Sequence, residues 1–138
     1  MAVTATPIFL QSAKSAITAY TTASTTSTHV TGGTNTSKVL SLTAVSNSTS
    51  AHVFIVGLST GGVSAPIIYV SIPASAGTDG TTPGVNLLNS TILPGLAVDA
   101  NGQAYVNLPS TSVSMTITAT ATINTGKQVT FFSNYGDY

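Results

Sequence analysis

The residues from Ser112 to Thr122 alternate strictly between apolar and hydroxylated side chains, and this pattern constrains the fold more than any other feature. Val113, Met115, Ile117, Ala119 and Ala121 are the apolar members, and serine or threonine fills every position between them. Because successive side chains of a β-strand point to opposite faces of a sheet, the pattern predicts a strand with one buried face and one open, hydroxylated face. No segment shows the 3.6-residue period of an amphipathic helix.

Hydroxyl groups replace charges throughout the chain. Serine and threonine supply 43 of the 138 residues, whereas charged residues make up 4%, against about 25% in an ordinary domain. Arginine and glutamate are absent, and the six charged residues are Lys14, Lys38, Asp79, Asp99, Lys127 and Asp137. The surface must therefore be solvated by hydroxyl and amide groups.

The shortage of charge excludes several classes of function. Binding to nucleic acid phosphates or to anionic membranes requires clustered lysine or arginine, and this chain has three scattered lysines. It has no cysteine for a disulfide or a thiolate metal site. Its longest apolar stretches, Val53–Leu58 and Ile92–Val98, are far shorter than the roughly 20 residues of a membrane helix. We expect no secretory signal, no nucleic acid or membrane partner and no cofactor.

Several further segments have the character of strands. Ser37–Val45 places Leu40, Leu42 and Ala44 on one face, which predicts a strand with one buried side. Ala51–Leu58 is apolar on both faces and predicts a central strand buried on both sides. Ile67–Ile72 is a short β-branched run between two prolines. Asn101-Gly102 predicts a hairpin with a type I′ turn, which needs positive φ at both central residues.

Together these signals predict an all-β fold, an antiparallel β-sandwich resembling a jelly roll, with about eight short strands. Residues 1–14 lack a clear period and contain Pro7, so we expect an extended N-terminal arm before a single sandwich domain over residues 15–138. The serine- and threonine-rich stretch Thr21–Ser37 is interpreted either as a mobile loop or as a weak edge strand.

The motifs that suggest chemistry have simpler structural interpretations. Gly57-Leu58-Ser59-Thr60-Gly61 matches the nucleophile elbow of hydrolases, but the glycine- and proline-containing residues that follow predict a hairpin rather than the required helix. His29 and His52 lie in different segments without the spacing of metal ligands. Asp99 to Gly102 resembles a calcium loop only loosely, since no glutamate is present. We predict no catalytic, cofactor or metal site, and therefore no enzyme.

Aromatic residues mark the candidate contact segments. Phe132, Tyr135 and Tyr138 cluster near the C-terminal end, and Phe9 lies in the predicted arm. Tyrosine gives a large contact area at a low cost in conformational entropy, so these residues are candidates for contact with a partner subunit. The alternative is that the C-terminal segment folds back onto its own sheet, and the sequence leaves both open.

Two segments resemble small structural proteins of tailed-bacteriophage virions, short β-sandwiches rich in threonine, alanine and glycine that sit on capsids or necks. The first begins with Leu87-Leu88-Asn89 and continues from Leu93-Pro94-Gly95 to Pro109; the second is the ending from Val129-Thr130-Phe131-Phe132 to Gly136-Asp137-Tyr138. The resemblance covers residues 36–138 and consists of turn and strand patterns, so it carries over no functional residue.

The resemblance implies a non-enzymatic virion protein assembled in the host cytoplasm, with a capsid decoration (cement) protein as the leading hypothesis. The expected partners are the major capsid protein or other virion subunits, and further copies of the chain in a homo-oligomer, a trimer being favoured. Residues 1–14 and 131–138 would make the contacts. A neck, collar or tail component is the alternative within the virion. A receptor- or glycan-binding module, in which Tyr69 or Tyr105 stacks on a sugar, is the alternative of another class.

Overall fold

A computed structural model describes residues 12–21, 26–93 and 96–138, and within these ranges every regular element is a β-strand. The described residues therefore contain no helix that is long and apolar enough to cross a membrane. The eleven strands are β1 (Ser12–Tyr20), β2 (Thr26–Thr31), β3 (Ser37–Val39), β4 (Thr43–Ser46), β5 (His52–Thr60), β6 (Val63–Ile72), β7 (Val85–Asn86), β8 (Ala97–Val98), β9 (Ala104–Leu108), β10 (Val113–Ala119) and β11 (Val129–Asp137).

Two antiparallel sheets form the molecule, as the sequence predicts. In the seven-stranded sheet, β11 pairs with β1 on one edge and with β4 and then β3 on the other. β7 continues this sheet beyond β4, and β9 and β8 continue it beyond β3. The four-stranded sheet has the order β2-β10-β5-β6. The all-β sandwich prediction is confirmed, with eleven strands in the described residues where about eight were expected.

The core between the sheets is built around three aromatic rings, those of Tyr20, Phe54 and Phe131, one from β1, one from β5 and one from β11. Each pair packs edge to face, with ring centroids 4.9 to 5.9 Å apart, within the favoured range for aromatic pairs. The Tyr20 hydroxyl donates a hydrogen bond to the Ile117 carbonyl at 2.6 Å, so its polar group is satisfied inside the core. The three rings thus tie the two sheets together.

The strand formed by the alternating segment Ser112–Thr122 is β10. Met115, Ile117 and Ala119 are buried, while Thr116 and Thr118 lie on the open face. The strand ends at Ala119, before the alternation does, and Ala121 is exposed. The predicted face assignment is therefore confirmed over the length of the strand.

The predicted strand Ser37–Val45 is wrong as one continuous element. It is divided into β3 and β4, and Val39 and Leu42 are buried while Leu40 is only partly so. The backbone N–H groups of Leu40 and Ser41 both donate to the carbonyl of Asn134, at 2.8 and 3.3 Å. Two residues therefore face one on β11, as in a β-bulge, and the buried face changes by one position.

The prediction that Ala51–Leu58 is buried on both sides is also wrong. β5 is central in its sheet, but only one of its faces packs into the core. Phe54 and Val56 are fully buried, whereas Val53 is 40% exposed and Ile55 is partly exposed. A two-layer sandwich covers each sheet on one side only, so the second apolar row of β5 lies on an open face.

The Asn101-Gly102 hairpin is confirmed, but its turn type is not I′. Only Gly102 has positive φ, at 81°, and its N–H donates to the Asp99 carbonyl at 3.0 Å. The Asp99 carboxylate accepts two further backbone N–H groups, each at 2.9 Å. The connection between β8 and β9 is therefore a longer loop closed by Asp99. The Asp99 carboxylate has a structural role in this loop as an acceptor of backbone N–H groups.

The predicted N-terminal arm lies mostly outside the described residues, whereas the serine- and threonine-rich stretch after β1 contains a strand. Residues 1–11 of the predicted arm lie outside the described residues, and residues 12–14 are the first three of β1, so the division at residue 14 stays a prediction. Of the two interpretations of Thr21–Ser37, the edge strand is confirmed over Thr26–Thr31, where β2 forms an edge of the four-stranded sheet.

Candidate interaction surface

The side of the seven-stranded sheet that faces away from the four-stranded sheet, here called the outer face, carries an exposed apolar pair. Phe132 of β11 lies directly opposite Ile17 of β1 and opposite Thr43 of β4 on its other side. Ile17 is 69% exposed and Phe132 is 37% exposed. The Ile17–Phe132 pair is a place where burial against a partner would remove apolar surface from water.

The C-terminal segment folds back onto its own sheet, which was one of the two open interpretations. β11 is the strand around which the seven-stranded sheet is built, and Phe131 is fully buried. Among the predicted contact residues, Phe132 lies on the outer face, and Tyr135 is half-buried against the core. Tyr138 follows the strand and lines a cleft at its end, and Phe9 lies outside the described residues. The segment therefore places these aromatic residues at separate positions instead of forming one cluster.

The cleft at the end of β11 has a volume of about 420 Å³ and is lined by Asn35, Thr36, Lys38, Tyr105, Asn107 and Tyr138. Lys38 and Asn107 are cross-strand partners in β3 and β9. The Lys38 ammonium lies over the Tyr105 ring, 4.1 Å from its centroid, within the range of a cation–π contact. The sequence alone did not point to Lys38, because its position depends on the order β11-β3-β9.

The free edge of β1 is the least protected of the sheet edges in the described residues. β1 pairs with β11 in a continuous register over nine residues and contains neither proline nor glycine. The edge strand β6 contains Pro66 and a register shift, β2 also contains a register shift, and β7 and β8 have two residues each. Proline, bulges, short length and charged side chains are the usual protection against unwanted strand pairing. β1 lacks the first three, and its one charged residue, Lys14, is paired with Asp137.

A polar cluster holds the beginning of β1 in place. The Lys14 Nζ lies 2.5 Å from the Asp137 carboxylate, and the Ser37 hydroxyl donates to the other carboxylate oxygen at 2.5 Å. The hydrogen bond from Lys14 holds the pKa of Asp137 below its usual value, and the same bond raises the pKa of Lys14. This is the only ion pair in the described part of the chain. One of the three lysines is thus already neutralised within the protein.

Both histidines are buried and bonded to serine hydroxyls. His29 Nδ1 lies 2.8 Å from the Thr18 hydroxyl, and its Nε2 lies 2.8 Å from the Ser133 hydroxyl. Burial lowers the pKa of His29 to about 4. His52 Nε2 lies 2.7 Å from the Ser48 hydroxyl. His29 therefore links β1, β2 and β11 inside the sandwich, a role that the sequence pattern did not reveal.

The candidate catalytic motif lies in a strand and a hairpin. Ser59 is the penultimate residue of β5, and Gly61 and Gly62 turn the chain directly into β6 with φ values of 57° and 82°. His52 begins the same strand, which separates it from Ser59 by about 23 Å of extended chain. No group of three potential metal ligands occurs among the residues that the structure describes. The geometry here is that of a hairpin.

Two solved structures resemble the fold, both at low identity. A chain of the cyanophage Pam1 capsid asymmetric unit matches with 14% sequence identity and a TM-score of 0.48, covering 99% of this chain and 94% of that chain. A chain from the virus-like particle of the extra small virus of the giant freshwater prawn Macrobrachium rosenbergii has 16% identity and a TM-score of 0.31, covering 99% and 87%. No protein-family profile and no curated protein matches the sequence.

Proposed function

We propose that this chain is a structural, non-enzymatic protein of a tailed-bacteriophage virion, and that it decorates the outer capsid surface and stabilises the shell. The observation that carries the proposal is the Ile17–Phe132 pair, an exposed apolar contact in a chain with only six charged residues. The virion assignment itself comes from the resemblance of residues 36–138 to small virion proteins. A protein that binds only the assembled shell favours that shell by mass action.

The unprotected edge of β1 supports the same role. An exposed strand edge can accept an extended segment of a neighbouring chain through main-chain hydrogen bonds. Since Ile17 lies on β1 itself, a partner strand at this edge would place its own side chains beside Ile17 on the outer face. The contact would combine backbone pairing with burial of apolar surface, and it would need no charged group.

The nearly neutral surface suits a protein present in many copies. With a formal net charge of zero, neighbouring copies on a shell do not repel one another over long range. The proposed partners are the major capsid protein or other virion subunits, together with further copies of this chain, for which a trimer is favoured. Assembly would take place in the host cytoplasm.

The test uses two matched variants and shells of the virus that encodes this chain, prepared without it. Ile17→Lys places a charge on the proposed contact, and Val63→Lys places the same charge on an equally exposed residue of the other sheet, since Ile17 is 69% and Val63 68% exposed. Occupancy is measured by co-sedimentation with the shells. We expect Ile17→Lys to lower the affinity at least tenfold, because a buried lysine must be desolvated, and Val63→Lys to bind as the unmodified protein does.

Equal binding by both variants would refute the contact, and failure of the unmodified protein to bind shells would refute the decoration role. A neck, collar or tail component is the other candidate within the virion. Symmetry separates the two, because a decoration protein occurs in on the order of hundreds of copies over the shell, whereas a neck or tail component is confined to rings on one axis. Cryo-electron microscopy of the particle gives this distribution directly.

A further inference from the structure

The cleft at the end of β11 is built from residues that are held in place before any ligand binds. The Tyr138 N–H donates to the Thr36 carbonyl at 3.0 Å, and the Asn35 amide donates to the Tyr138 carbonyl at 3.2 Å. Lys38 and Asn107 are fixed opposite each other by the pairing of β3 with β9. The cleft therefore presents two tyrosine rings, two side-chain amides and one ammonium group on backbone that is held by strand pairing and hydrogen bonds.

The chemistry of this lining selects a class of ligand. Tyrosine rings pack against the C–H faces of a sugar, and their hydroxyls, like the asparagine amides, can exchange hydrogen bonds with sugar hydroxyls. Lys38 has no carboxylate partner among the described residues, since the one ion pair there joins Lys14 to Asp137. An anionic group on the ligand would supply the missing partner. The volume of about 420 Å³ lies in the range of small-molecule sites.

We propose that this cleft binds an acidic saccharide, with the ligand's carboxylate on Lys38, whose ammonium rests on the Tyr105 ring, and with the sugar ring packed against Tyr138. The site goes beyond the proposed decoration function and does not depend on it. Phe132 precedes Gly136, the β11 partner of Lys38, by four residues, which is about 13 Å along an extended strand. The cleft lies on the same outer face as Phe132, but β3 and β9 continue the sheet on the side of β11 opposite β1. A subunit that sits on the Ile17–Phe132 pair and extends beyond β1 would therefore leave the cleft open to solvent, where it would attach the particle to a surface polysaccharide.

The experiment is a titration of the full-length protein followed by amide chemical shifts in NMR spectra. The probes are uronic-acid disaccharides, each compared with the neutral hexose disaccharide that differs only in lacking the carboxylate. We expect saturable shifts at the amides of Lys38, Asn107 and Tyr138 with a Kd on the order of 1 mM, and weaker binding of each neutral counterpart. The absence of saturable shifts for every acidic probe at tens of millimolar would overturn the proposal.

Four variants separate the contribution of the Lys38 charge to saccharide binding from that of the aromatic ring. Lys38→Gln removes the charge and is expected to lower affinity for the acidic probe about fivefold without affecting the neutral one. Asn107→Asp gives Lys38 an internal carboxylate partner and preserves the strand pairing, and it is expected to weaken binding of the acidic probe more than that of the neutral one. Tyr138→Ala is expected to weaken binding of both probes, and Tyr69→Ala, on the outward side of the four-stranded sheet, is the control and should bind normally. Unchanged selectivity in both Lys38→Gln and Asn107→Asp would refute the role of Lys38.

Two further measurements test whether the cleft recognises a saccharide rather than any carboxylate, and whether it stays open on the particle. An acidic tripeptide is titrated in parallel, and binding as strong as that of the saccharides would show that the cleft recognises a carboxylate alone, which overturns the proposal. Asn107→Asp is also tested for shell occupancy. Normal occupancy is expected, because the cleft is not the proposed shell contact, and a loss of occupancy would show that the cleft is covered on the particle and would likewise overturn the inference.

Discussion

Acidification is expected to destabilise the protein through His29. The imidazole is buried and bonded through both nitrogens, Nδ1 to the Thr18 hydroxyl and Nε2 to the Ser133 hydroxyl, each at 2.8 Å. Burial lowers its pKa to about 4, whereas the ordinary value is 6.5. Between these two values the unfolded chain binds the proton and the folded chain does not. The free energy of unfolding is therefore greatest above pH 6.5 and falls as the pH is lowered towards 4.

The size of this effect follows from the two pKa values. Each unit of difference between the folded and unfolded pKa corresponds to about 1.4 kcal/mol. The free energy of unfolding is therefore expected to fall by about 3 kcal/mol between pH 6.5 and pH 4. The nearest charged groups along the two bonded strands are Lys14 and Asp137, each four residues away, or about 13 Å. They already pair with each other, so neither offsets the cost of a buried imidazolium.

Urea unfolding followed by circular dichroism at a series of pH values from 4 to 7.5 measures the decrease in the free energy of unfolding. His29→Gln retains hydrogen-bonding capacity but cannot titrate, and we expect its stability to change by less than about 1 kcal/mol over the same range. His52→Gln, which alters the other buried histidine, should keep the pH dependence. A pH dependence in His29→Gln equal to that of the unmodified protein would refute the assignment to His29.

The remaining predictions concern the core and the attachment surface. Phe54→Ala is expected to lower the free energy of unfolding by about 3–5 kcal/mol, because Phe54 is fully buried and packs on both other core rings. Phe132→Ala, at 37% exposure, should cost clearly less in the same urea titration, and equal losses would contradict the described core. Attachment to the shell is expected to change less than about threefold in affinity between 50 mM and 500 mM salt, because it uses so few charges; release of the protein by moderate salt in a sedimentation assay would show that the lysines make the contact.

The sequence predicts the fold class well because alternation is a local property. The alternating apolar and hydroxylated residues of β10 assign each side chain to a face without reference to any other strand. The same reasoning fails for β5, because two apolar rows do not reveal whether a second layer covers the sheet. Val53 and Ile55 lie on the uncovered side. The bulge at Leu40 and Ser41 is also invisible in the pattern, since it depends on pairing with Asn134.

The candidate sites depend on strand order, which the sequence does not contain. Phe132 was predicted as a contact residue from its neighbours in the chain, but its apolar partner Ile17 is 115 positions away and becomes adjacent only through the pairing of β1 with β11. Lys38 and Tyr138 meet because β3 lies between β11 and β9. β1 itself was not predicted as a strand, since alanine, serine and a single isoleucine give it a weak pattern.

The most direct test of the proposed role is a cryo-electron microscopy reconstruction of the tailed-bacteriophage particle to which the proposal assigns this chain. We expect density for the two-sheet sandwich on the outer capsid surface, repeated over the whole shell, with the outer face at Ile17 and Phe132 against a capsid subunit. Particles from a virus lacking the gene should have bare shells that dissociate at a lower temperature. Identical reconstructions with and without the gene, or density for this fold only in the neck or tail, would contradict the account.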